Sequence, residues 1–116
     1  MTRESKTFAA VLGALRASLV RVSSHALVEA ETDGLTLHDI ETVTHASECI
    51  EDYPDDARGP SCLVLGHLPD GSAVHLLWGF DEPSRQAILI TVYLPDPQHW
   101  TEDFRRRRSR DAGEGE

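Results

Sequence analysis

Apolar residues recur at two different spacings along the chain, and each spacing predicts a different kind of element. Between residues 7 and 22 they recur every three or four positions, as on one face of an amphipathic helix. From residue 61 onward they fall in three short runs with strand-like alternation, covering 61–67, 73–80 and 87–94. The pattern predicts helices in the first part of the chain and a sheet in the second.

Local signals at element ends add two helices and fix the connections. Ser23 or Ser24 can cap a second helix, which Asp33-Gly34 ends, and the motif at 36–39 (TLHD) fits a capping box for a third helix. Short links join the three strand runs as hairpins, and residues 49–53 add a weak edge strand. We therefore predict an α+β fold, with N-terminal helices packed on a three- to four-stranded antiparallel sheet and a short C-terminal helix.

Strand alternation predicts which side chains of the sheet face the helices. The face expected beneath the helices is wholly apolar and carries Val74, Leu76, Trp78, Ile88, Ile90 and Val92. The opposite face then carries His75, Thr91 and Tyr93, which we expect to share a partly open cleft. An imidazole that titrates near neutral pH and a phenol that donates a hydrogen bond suit acid-base chemistry. His75 and Tyr93 are therefore the first catalytic candidates and His25 is the third, while half-buried packing residues are the alternative interpretation.

Charge limits the classes of partner. The chain has a formal net charge of −9, and the last sixteen residues hold equal numbers of acidic and basic side chains, so the body is acidic. An acidic surface opposes nonspecific binding to phosphates. Any RNA contact must therefore be local, and the candidate ligands are Arg58 on a Gly/Pro turn and the run Arg105, Arg106, Arg107 and Arg108. The alternatives are a salt bridge from Arg58 to Asp55 or Asp56, and a solvated charge run.

Other motifs are missing or weak. His38, Glu41 and His45 share a helix face, but nothing supplies a further ligand, so we predict no metal and no cofactor. Cys49 and Cys62 stand outside any paired motif and are expected to be buried free thiols. No apolar run is long enough to cross a membrane, and we expect a cytoplasmic protein with one domain over 1–108 and a disordered acidic tail over 109–116.

A set of landmarks resembles the small bacterial DUF4258 family over about residues 20–108. They are Ser24-His25-Ala26, the segment 33–40 (DGLTLHDI), the segment 50–61 (IEDYPDDARGPS), His75, Thr91-Val92-Tyr93, Pro95-Asp96-Pro97, Trp100 and the terminal arginines. The family is similar, more distantly, to RelE-like and BrnT-like toxins. That resemblance implies a RelE-like fold and a metal-independent endoribonuclease neutralised by a zinc-ribbon or helix-turn-helix antitoxin.

The resemblance also implies roles for individual residues. The 2′-hydroxyl of RNA would attack the adjacent phosphate, with His75 or His25 as proton acceptor, Tyr93 as acid or phosphate donor, and Arg58 or Arg105 stabilising the charge. The acidic body departs from what such chemistry requires. A noncatalytic protein-interaction module therefore stays open beside the ribonuclease, and the sequence leaves the oligomeric state undetermined.

Overall fold

The structure, a computed structural model, describes residues 4–108. Within them the chain forms three helices and five strands, which confirms the α+β class. The helices are α1 (Lys6–Arg16), α2 (Ser24–Thr32) and α3 (Leu37–His45), and the strands are β1 (Val20–Val22), β2 (Glu48–Tyr53), β3 (Ser61–His67), β4 (Ala73–Asp81) and β5 (Gln86–Tyr93). None of these helices is long and apolar enough to cross a membrane. The tail predicted for 109–116 lies outside the described residues.

The strands form one sheet in the order β1-β5-β4-β3-β2. From β2 to β5 all neighbours are antiparallel, as the short links and the weak edge strand predicted. β1 adds a strand at the other edge and runs parallel to β5, with Val20 opposite Ala87 and Val22 opposite Leu89. The sheet is therefore five-stranded and mixed, and the prediction of a wholly antiparallel sheet is wrong.

β1 lies where the apolar spacing predicted the end of the first helix. That helix is capped by Ser5 and ends at Arg16. Ser18 then adopts a left-handed φ of 61°, and the chain continues as a strand. Val20 and Val22 are β-branched and suit an extended backbone. Their partner strand is far away in the sequence, so a local window of helical spacing could not reveal it.

The second and third helices begin where their caps predicted. The Ser23 hydroxyl accepts a hydrogen bond from the amide of Ala26 at 3.0 Å. Thr36 and Asp39 form the predicted capping box: the Asp39 amide donates to the Thr36 hydroxyl at 3.1 Å, and the Thr36 amide donates to the Asp39 carboxylate at 2.9 Å. These caps satisfy amides that the helix itself cannot pair.

The main core lies between the helices and one face of the sheet. Val74, Leu76 and Trp78 project into it from β4 and are at most 1% exposed, as predicted. The indole N–H of Trp78 donates to the Thr44 hydroxyl at 3.1 Å, and that hydroxyl donates to the carbonyl of Ile40 at 2.7 Å. The polar atoms buried here are therefore paired, as burial requires.

A one-residue bulge in β5 decides which of its side chains reach this core. Leu89 and Thr91 lie opposite consecutive residues of β4, which leaves Ile90 without a partner. The alternation of the strand shifts at such a bulge. Leu89 is fully buried beneath the helices, whereas Ile90 is 37% exposed. The prediction of Val92 in the core is confirmed, but Ile88 and Ile90 lie on the opposite face of the sheet, which we call the outer face.

Residues 95–108 form an irregular segment across the outer face, which we call the C-terminal strap. The described chain after β5 contains no helix, so the predicted C-terminal helix is wrong. The carboxylates of Asp96 and Asp103 each accept the amide two residues further on, at 2.8 and 3.1 Å, which favours turns over a helix. An antiparallel bridge between Trp100 and Arg107 closes the strap into a loop.

Candidate functional site

His75 and Tyr93 lie directly opposite each other on β4 and β5, so the two residues share a face as predicted. Nδ1 of His75 is 3.1 Å from the Tyr93 hydroxyl, and Nε2 is 2.9 Å from the carbonyl oxygen of Phe104. A carbonyl can only accept, so Nε2 carries the proton of the neutral ring and Nδ1 accepts from the phenol. Both ring nitrogens are therefore engaged within the protein.

The C-terminal strap separates His75 from solvent, whereas Tyr93 is half-buried. His75 has no exposed surface, and the ring of Trp100 packs edge-on against it with the centroids 4.3 Å apart. The prediction that His75 faces a partly open cleft is wrong, because the strap covers this side chain. Burial lowers the pKa of His75 and raises the pKa of Tyr93 to about 12, so both side chains are neutral at pH 7.

Two arginines of the strap fasten it to the edge strand β2. The Arg105 guanidinium donates to Glu48 at 3.0 Å, and Arg107 donates to both oxygens of Glu51 at 3.1 and 3.2 Å. The Arg107 guanidinium also lies 4.7 Å from the centroid of the Trp100 ring. The hydrogen bond between Glu48 and Arg105 lowers the pKa of Glu48 and raises that of Arg105, so this pair is ionic at neutral pH.

The other predicted phosphate ligands also contact groups of the chain itself. Arg108 donates to the carbonyl of Pro97 at 2.8 Å, and the backbone amide of Arg106 belongs to a turn of the strap. Arg58 donates to the Asp56 carboxylate at 3.3 and 3.4 Å, although its side chain is 91% exposed. The alternative of a salt bridge from Arg58 is therefore confirmed for Asp56. The guanidinium groups of the predicted phosphate ligands therefore make separate internal contacts, except that of Arg106, of which only the backbone is hydrogen-bonded.

His25 lies at the start of α2, whereas His75 lies on β4. Its Nε2 is 3.2 Å from Glu29 one helical turn later, and the imidazole side chain is 70% exposed. The other oxygen of Glu29 accepts the hydroxyl of Thr91 at 2.5 Å and the amide of Val92 at 2.9 Å. Glu29 thus joins α2 to the edge of β5 beyond the end of β1. The i,i+4 spacing of His25 and Glu29 could have indicated their contact, but not the contacts with the strand.

A groove of about 590 Å³ opens on the outer face beside the strap. Leu77, Ile88 and Ile90 contribute its apolar floor, and the loops after β2 and β4 form its walls. Tyr53 and Arg58 line the wall after β2. None of the three candidate catalytic residues lines this groove. The bulge in β5 creates it, because that bulge turns two isoleucines away from the core.

Three carboxylates and one guanidinium line the rim of the groove. Asp56 is paired with Arg58, whereas Asp81 is the last residue of β4 and Glu82 begins the turn after it. Hydrogen bonds from Ser84 lower the pKa of Asp81, which therefore stays ionised at neutral pH. The groove thus combines an apolar floor with a rim of negative net charge.

Comparison with known proteins identifies the family. The profile of DUF4258, described as a domain of unknown function, matches residues 22–94. The chain belongs to the DUF4258 family. The matched part of this DUF4258 protein runs from β1 through β5 and includes the floor of the groove, His25, His75 and Tyr93. No curated protein and no solved structure gives a match.

The titratable groups of this DUF4258 protein do not form an evident metal centre. Within residues 4–108, no group of three or more His, Cys, Asp or Glu side chains is arranged to hold an ion. Cys49 and Cys62 are buried and are not joined by a disulfide, as predicted, and their mutual hydrogen bond together with burial raises the pKa of Cys62.

Proposed function

We propose that this DUF4258 protein is a noncatalytic protein-interaction module whose groove on the outer face receives a segment of a partner protein. The groove carries this proposal: it exposes aliphatic side chains of the sheet, and the strap leaves it uncovered. Exposed apolar surface framed by polar groups is typical of binding sites. None of the three predicted catalytic residues (His25, His75 and Tyr93) lines the groove, so they give no support to catalysis there.

Electrostatics also supports a protein partner over a nucleic acid. The formal net charge is −9, and the strap arginines Arg105 and Arg107 are paired with Glu48 and Glu51. Phosphate binding needs unpaired cationic groups that can replace counterions. An acidic surface of this kind repels an RNA backbone and attracts cationic protein surfaces. We also propose that the protein is cytoplasmic, as expected from its sequence.

A matched pair of variants tests the groove. Ile90→Thr keeps a β-branched residue but makes the groove floor polar, and Val28→Thr makes the same change on α2, where Val28 is 62% exposed. The wild-type protein and both variants would be tagged and expressed in the source cells, and bound proteins quantified by mass spectrometry. We expect a partner that binds the wild type and Val28→Thr but is lost with Ile90→Thr. Equal recovery with all three proteins would reject the groove as the binding surface.

The second candidate is the RelE-like, metal-independent endoribonuclease implied by the family resemblance, with a zinc-ribbon or helix-turn-helix antitoxin as partner. One observation favours it. The His25 imidazole is exposed and contacts Glu29, so it can exchange a proton with a bound substrate without movement of the strap. His75 would become accessible only after the strap moved, because its side chain has no exposed surface.

Induced expression followed by RNA end mapping tests this candidate. A ribonuclease should arrest growth and leave new RNA ends, and His25→Ala should abolish most cleavage while leaving thermal stability nearly unchanged. Loss of cleavage in His75→Ala without loss of stability would instead implicate the buried pair. Absence of growth arrest and of cleavage of both naked and ribosome-bound RNA would reject the ribonuclease.

A further inference from the structure

The C-terminal strap is a segment of the chain itself that the outer face holds by identifiable contacts. Trp100 is 4% exposed and packs in an apolar cluster with Ile50, Leu63 and Leu65. Two arginines of the strap lie beside this anchor and pair with carboxylates of β2. The outer face thus holds an irregular segment by one apolar anchor and flanking guanidinium-carboxylate pairs.

The groove continues the surface on which the strap lies. Leu77 packs against the cluster beneath the strap and also lines the groove. Glu51 connects the two areas as well, because its carboxylate accepts from Arg107 of the strap and from the hydroxyl of Tyr53 in the groove wall. The strap and the groove are therefore adjacent parts of one surface.

The groove repeats the pattern of an apolar floor with carboxylates at its edge. In the floor, the side chain of Ile90 lies directly over the backbone of β4 at Gly79. Its Cδ1 would be 3.1 Å from a Cβ atom added to that glycine. Arg58 pairs with Asp56, which leaves Asp81 and Glu82 as the further carboxylates of the rim, and Arg21 is close enough to Asp81 to lower its pKa. Arg85 offsets Glu82 only weakly, because they are 3.8 Å apart and each is 70% exposed.

We propose that the occupant of the groove is a cationic segment of another protein, in which one apolar side chain is flanked by Lys or Arg. This inference rests on the proposed function and specifies the chemistry of its partner. The apolar side chain lies on Ile88 and Ile90, and a flanking guanidinium or ammonium group pairs with Asp81 or Glu82. The net charge of −9 adds a long-range attraction for such a segment.

Selection from a displayed library of random twelve-residue peptides tests this chemistry, because it requires no identified partner. The purified full chain is the target, and Ile90→Thr serves for counter-selection so that only groove-dependent peptides are retained. We expect the retained peptides to carry an aromatic or large aliphatic residue next to Lys or Arg. Enrichment of acidic or uncharged apolar peptides would overturn the inference and leave the proposed function standing. Recovery of no groove-dependent peptide would overturn both.

A charge variant with a matched control then tests the rim. Asp81→Asn removes a carboxylate at the groove, and Asp70→Asn removes an exposed carboxylate elsewhere; each Asp accepts a serine amide in a turn. For a retained peptide measured by fluorescence anisotropy, we expect Asp81→Asn to weaken binding about two- to fivefold, the range of a surface ion pair. Asp70→Asn should have a smaller effect, and raised salt should reduce the difference. Equal effects of both variants would show that the rim carboxylate does not contact the peptide.

Discussion

Leu89 and Ile90 are neighbouring aliphatic residues on opposite faces of β5, and replacing each by Ala should have unequal costs. Leu89 has no exposed surface, so Leu89→Ala leaves a cavity in the core and should cost about 2–5 kcal/mol of unfolding free energy. Ile90 is 37% exposed and borders an open groove. Its three lost carbons are worth roughly 0.8 kcal/mol each when fully buried, which partial exposure reduces to about 1.5 kcal/mol in total.

Urea unfolding at pH 7 measures both costs. The midpoints give the change in unfolding free energy, provided that the slope of free energy against urea concentration stays the same. We expect Leu89→Ala to be the less stable variant by about 0.5–3.5 kcal/mol, which is the difference between the two estimates. Equal costs, or a larger cost for Ile90→Ala, would mean that β5 has no bulge and that Ile90 lies beneath the helices.

Three further predictions concern the buried histidine, the strap and a helix cap. Burial lowers the pKa of His75, so below about pH 6.5 the unfolded chain binds a proton that the folded chain does not, and the free energy of unfolding should decrease by up to about 1.4 kcal/mol per pH unit. His75→Gln should flatten this dependence in urea unfolding at several pH values. An unchanged dependence would show that His75 is not the group responsible for it. Because Trp100 is 4% exposed, Trp100→Ala should lower the free energy of unfolding by about 3–5 kcal/mol, and Trp100→Phe should lower it less. A decrease below about 1 kcal/mol for Trp100→Ala in thermal unfolding would show that the strap is not packed on the sheet. Thr36→Ala should cost about 1 kcal/mol through loss of the cap, whereas Thr42→Ala on the exposed face of α3 should not destabilise; equal effects in urea unfolding would exclude a capping role.

Signals between residues close in the sequence predicted much of the fold. The caps at Ser23 and Thr36 are contacts across three residues, so the sequence window that contains them contains the whole interaction. The hairpin links and the alternation in β4 are local in the same sense, which is why the meander and the burial of Val74, Leu76 and Trp78 were predicted correctly. The prediction that His75 and Tyr93 share a face was also correct, because Tyr93 lies beyond the bulge, where the pairing of β5 with β4 agrees with simple alternation.

Contacts between distant segments decided the candidate site. Ile90 carries the same local pattern as a core residue, and only the pairing of β5 with β4 turns it toward the groove. The run of arginines has the composition of a cationic cluster, but Arg105 and Arg107 meet acceptors more than fifty residues away on β2. The sequence by itself therefore determined the helix caps, the strand order of the meander and the membership of DUF4258. Only the tertiary structure decided which histidine is buried, which charges are paired and where the outer face stays open, because each depends on the burial and pairing of groups that the chain brings together only when it folds.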